Sequence, residues 1–83
     1  MKDEKVDVTQ LPDAERRMVA DFELRGFKVT IRKPGSEHTN YSCRARYLRG
    51  NRDSIVKYAD TSELAVRKTI SAVRDTWPEL FEN

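Results

Sequence analysis

Phe27-Lys-Val-Thr-Ile-Arg32 and Tyr41-Ser-Cys-Arg-Ala-Arg-Tyr47 are the stretches whose reading decides the fold. In the first, Phe27, Val29 and Ile31 point one way, and Lys28, Thr30 and Arg32 the other. In the second, Tyr41, Cys43, Ala45 and Tyr47 alternate with Ser42, Arg44, Arg46 and Leu48. A period of two is the mark of a half-buried β-strand. The residues between them, Pro34-Gly-Ser-Glu-His-Thr-Asn40, are turn formers, so the two strands are expected to pair antiparallel. Arg49-Gly-Asn-Arg-Asp53 supplies the next turn, and a shorter third strand is expected over 54–59. There Val56 and Tyr58 oppose Ile55 and Lys57, and alternation leaves open which pair faces inward.

A helix is expected on either side of these strands. Upstream, Pro12 suits a first helical turn, and Asp13 and Glu15 suit the positive end of a helix dipole. Leu11, Ala14, Met18 and Phe22, with Val19 beside them, make one apolar face. Gly26 provides a left-handed stop, which sets the helix at about 12–25. Downstream, Asp60-Thr-Ser-Glu63 resembles a capping arrangement. Val66, Ile70, Val73 and Trp77 then form a stripe that Ala65 and Thr69 widen, and Pro78 ends it. Residues 1–10 carry few large apolar side chains and are expected to form a flexible tail, with 11–83 as a single domain. The predicted class is α+β: an α-β-β-β-α order, with a three-stranded antiparallel sheet and both helices on one face.

Composition narrows what such a domain does. The chain has 83 residues, of which 37% are hydrophobic and 36% charged. Average domains have about 45–50% and about 25%, so the core is thin. One cysteine excludes an internal disulfide and fits a reducing cytoplasm. No apolar run approaches the ~20 residues of a membrane span, so no membrane partner is expected. One His and one Cys make no zinc site, and neither metal nor cofactor is expected. No acid–base pair, phosphate loop or metal set can be assembled, so no enzyme is expected.

The net charge of +2 hides an uneven distribution. Residues 1–25 carry −2, residues 26–60 carry +5 and residues 61–83 carry −1. With Phe27, Val29, Ile31, Cys43, Ala45 and Tyr47 facing the helices, the opposite sheet face shows Lys28, Arg32, Arg44 and Arg46, with Lys57 expected to join them. Adjacent arginines repel one another and add nothing to a core. An anion answers such a cluster, and nucleic-acid phosphate is the common one. An ordinary solvated face, which keeps a sheet soluble, has the same pattern.

The order and length of these elements resemble the double-stranded-RNA-binding domain, over about residues 12–77. Pro34-Gly35-Ser-Glu-His38 echoes that family's Gly-Pro-x-His loop, with Pro and Gly reversed and the histidine one residue later. Tyr41-Ser-Cys-Arg-Ala-Arg-Tyr47 is similar to its aromatic-led second strand, and Ala65 matches a small residue early in its second helix. Through this resemblance His38 would reach a minor groove. The family's phosphate-gripping lysine cluster is replaced here by Ser62-Glu63-Leu64-Ala65-Val66. Arg67 and Lys68, a turn later, are the available substitutes.

His38 otherwise reads as a solvated loop residue, and Cys43 as a small apolar filler. Trp77 is expected to be buried, and Leu80 and Phe81 either fold back over the sandwich edge or anchor a partner. Tyr41 and Tyr47 are expected in the core, since base stacking requires an outward ring. The expected function is a small non-enzymatic module that binds duplex or structured nucleic acid, as a monomer or weak homodimer. The alternative is an adaptor or inhibitor, of the kind mobile elements carry, which docks its basic face on an acidic or nucleic-acid-binding surface of a larger protein.

Overall fold

A computed structural model describes residues 5–35 and 39–81 of the protein. Its elements are α1 (Asp13–Leu24), β1 (Phe27–Arg32), β2 (Tyr41–Tyr47), β3 (Ile55–Ala59) and α2 (Ser62–Thr76), with 3-10 turns at Val8–Gln10 and Pro78–Phe81. The strands lie in the order β1-β2-β3 and pair antiparallel throughout. α1 packs over β1 and α2 over β2 and β3, so both helices cover the same face. The class and the element order are those the alternation predicts. None of the described helices is long and apolar enough to cross a membrane.

Gly26 ends α1 with φ at 97°, a left-handed conformation that costs a residue with a Cβ about 1–2 kcal/mol. A Cβ there would also meet Arg49 Nε at 2.6 Å. Arg49 lies so close because its Nη2 donates to the Leu24 carbonyl at 3.4 Å, at the open end of the helix.

The buried face of α1 is rotated from the expected one. Leu11, Val19 and Phe22 are buried, but Ala14 is exposed and Met18 only half-buried. Glu15 takes the inward position at 3% exposure. Its carboxylate accepts from Arg67 Nε on α2, which explains how a charge is tolerated there. Among the described residues no buried side-chain nitrogen or oxygen lacks a partner.

α2 buries Ala65, Val66, Thr69, Ile70 and Val73, the expected stripe. Its cap is Thr61 rather than Asp60: the hydroxyl accepts from the Leu64 N–H at 3.2 Å. Thr61 is still extended, at φ −128° and ψ 157°, so the helix begins a residue later than the Asp60 reading allows. Trp77 departs from the expectation of burial and is half-buried. The chain leaves helical geometry at Trp77 (φ −130°, ψ 65°) ahead of Pro78, which moves the ring to the edge. There it lies under the Arg52 guanidinium at 5.3 Å. Leu80 and Phe81 pack back on the core. The Phe81 ring lies 5.3 Å from Phe22 and 6.0 Å from Phe27, with Arg25 and Arg74 over it at 5.1 and 5.2 Å.

The expected tail over 1–10 is corrected for residues 5–10, which lie against the domain. The Val6 N–H donates to the Ile31 carbonyl at 2.8 Å, and Lys5 pairs with Arg32. Val6 and Val8 pack on the core, so two small apolar side chains suffice to cover the outer edge of β1. Residues 1–4 lie outside the described residues.

Cys43 fills space at the centre of the core, as expected, beneath Thr69, whose hydroxyl donates to the Cys43 carbonyl at 2.9 Å. Burial pushes its thiol up to about 11 from an ordinary 9.0. Below about pH 9 the thiol is neutral folded or unfolded. Between 9 and 11 the unfolded chain releases the proton first, so this group makes stability fall as pH rises. At pH 7.5 a disulfide reagent is expected to leave native Cys43 unmodified and to label it fully in denaturant. Rapid labelling of the native protein would show that the thiol is accessible.

Candidate nucleic-acid interface

Residues paired across an antiparallel sheet share a face, so the register fixes what the uncovered side presents. Lys28 lies opposite Arg46, Thr30 opposite Arg44, and Arg32 opposite Ser42. On the far side of β2, Arg44 faces Val56 and Ser42 faces Tyr58. Three rows result: Lys28–Arg46, Thr30–Arg44–Val56 and Arg32–Ser42–Tyr58. Rows are about 6.7 Å apart and strands about 4.8 Å. The cations Lys28, Arg32, Arg44 and Arg46 are all exposed and occupy one lattice.

These three rows contain no acid. Arg16 pairs with Asp13, Arg25 with Asp21, Arg52 with Glu79, Arg67 with Glu15 and Arg74 with Asp21. Those acids sit on the helices or the final turn. Among the described residues, none of Lys28, Arg32, Arg44 and Arg46 makes an ion pair. Lys28 and Arg46 also stand directly opposite each other, an arrangement that costs stability when no anion lies between them.

The expected site divides in two. Lys57 is not on the basic face. It lies opposite Cys43, so it projects to the helix side, and Val56 and Tyr58 take the outward positions of β3. There Lys57 joins Arg67 and Lys68 around an open groove of about 580 Å³ between β3 and α2, whose walls include Ser71 and Asp75. Arg67 is held by Glu15, and Asp75 offsets a further charge, so this groove is the weaker anion site. His38 lies outside the described residues.

The open face also holds a concavity of about 190 Å³, lined by Thr30, Arg32, Lys33, Asn40, Ser42, Arg44, Val56 and Tyr58. It arises because short side chains alternate with long ones: Thr30, Ser42 and Val56 floor it, while Arg32, Arg44 and Tyr58 rise around them. Tyr58 was not singled out in the sequence. Its outward position depends on the register between β2 and β3, which only the pairing reveals. Tyr41 and Tyr47 are half-buried on the helix face, and Tyr58 is the outward tyrosine, at 46% exposure. Among the described residues, no group of three or more His, Cys, Asp or Glu side chains could hold a metal ion. Comparison with protein-family models, curated proteins and solved structures finds no match for this chain.

Proposed function

We propose that the protein is a non-catalytic nucleic-acid-binding module of the cytoplasm, which takes phosphates on the open face of its sheet. The observation that carries this reading is the segregation of charge. Acids pair with five arginines of the helices, the β2–β3 turn and the helix flanks, while Lys28, Arg32, Arg44 and Arg46 share a face with no acid paired to them among the described residues. The element order is compatible with a fold like that of the double-stranded-RNA-binding domain. The cations nonetheless favour the sheet face over the helix side that the resemblance implies. Phosphate contacts position a ligand without reading sequence, so no base specificity is expected from these four side chains.

A salt titration tests the proposal. Labelled duplex DNA, duplex RNA and single strands are bound at increasing salt. Four phosphate contacts give a log–log slope of about −3.6 on duplex DNA and about −2.8 on a single strand. A slope nearer −1 would mean that the four do not act together. No binding to any of them at low salt would overturn the reading and leave an acidic protein surface as the target of the same face.

A further inference from the structure

The concavity at the Arg32–Ser42–Tyr58 row does more than add charge. Its volume, about 190 Å³, is the space of about six waters at ~30 Å³ each. That admits a phosphate or a single base, and not the body of a duplex. Arg32 and Arg44 supply guanidinium groups on either side, and the Thr30 and Ser42 hydroxyls lie on the floor between them. Tyr58 and Val56 form the apolar side, with the tyrosine ring outward. A duplex keeps its bases stacked inside and presents only phosphate to such a surface, so Tyr58 and Val56 would add nothing to its binding. A single strand offers a phosphate together with an unstacked base, and so uses both sides of the concavity.

We propose that this concavity takes one phosphate of a single strand between Arg32 and Arg44 while the adjoining base lies against the exposed Tyr58 ring at its rim, so that the protein prefers single-stranded to duplex nucleic acid. The inference rests on the phosphate-binding reading of the sheet face. It adds a selection among nucleic acids that four cations alone do not make. Aromatic stacking tolerates any base, so the preference concerns strandedness and not sequence.

The test compares a mixed-sequence single strand with its duplex by fluorescence anisotropy at one low salt concentration, for wild type, Tyr58→Phe, Tyr58→Leu and Tyr58→Ala. The single strand is expected to bind at least tenfold more tightly than the duplex. Tyr58→Phe keeps that ratio, because the ring remains. Tyr58→Ala loses about tenfold on the single strand and nothing on the duplex. Should Tyr58→Ala fail to fold, as judged by circular dichroism, Tyr58→Leu keeps apolar bulk without an aromatic face and reads the same question. Equal or tighter duplex binding, or equal losses on both ligands, would overturn the inference and leave phosphate binding standing. No binding of either ligand by wild type would overturn both.

Discussion

The variant Arg44→Ala/Arg46→Ala is expected to bind nucleic acid about 60-fold more weakly than wild type at 0.1 M salt, with its fold intact. Each phosphate contact contributes about 0.9 log units at that salt, so two lost contacts remove about 1.8. The slope on duplex DNA is expected to fall from about −3.6 to about −1.8 in the same experiment. Stability behaves differently, because both side chains point away from the core on the uncovered face. Outward substitutions usually stay within about 0.5 kcal/mol, a shift of about 2–4 °C in a domain of this size. Removing Arg46 also relieves its opposition to Lys28, so the shift is expected to be upward or absent. Wild-type affinity in the double variant, or a steep loss of melting temperature, would refute the assignment of these residues to an open binding face.

The parts of this arrangement legible in the sequence are those with an unequal contest between faces. In β1 and β2 the apolar side chains gather on one side and the charged ones on the other, so the register of sides follows from alternation alone. In β3 the contest is even: Ile55 and Lys57 stand against Val56 and Tyr58, with one aliphatic residue in each pair. Only pairing with β2, where Ile55 meets Ala45 and Ala59 meets Tyr41, turns Lys57 inward and Tyr58 outward. The β3 side of the candidate site therefore depends on a contact the sequence does not display.

Glu15 shows the same limit from another side. Local hydropathy favours Ala14 for the inner face of α1, and the carboxylate turns inward because Arg67, 52 residues along the chain, meets it there. A non-local partner is invisible to a periodicity. The same ion pair removes Arg67 from the set of cations available to a ligand, which the sequence treated as free. The sheet-face cluster has no such competitor among the described residues, so none of its four members is drawn off by an acid.

Phe22→Ala is expected to have the largest effect on stability. The ring is 1% exposed and lies 4.9 Å from Phe27 and 5.3 Å from Phe81, so it joins the helix to the sheet and to the final turn. Truncating a buried phenylalanine costs about 3–5 kcal/mol, from lost burial and the cavity left behind. A protein of this length has about 4–12 kcal/mol in total, so the variant retains at most about three-quarters of its stability and in the worst case unfolds. At about 4–8 °C per kcal/mol, the melting temperature is expected to fall by about 12–40 °C. Phe81 loses one of its two ring neighbours on the core, so the turn at Pro78–Phe81 is expected to loosen as well. Leu24→Ala, two residues further along α1, is the matched control: Leu24 is 79% exposed, and its truncation is expected to stay within about 0.5 kcal/mol. Thermal melts of the two variants separate burial from helix propensity, because both replace a helical residue with alanine. Equal losses would mean that position on the helix face does not decide the cost, and the packing of α1 against β1 would need to be redrawn.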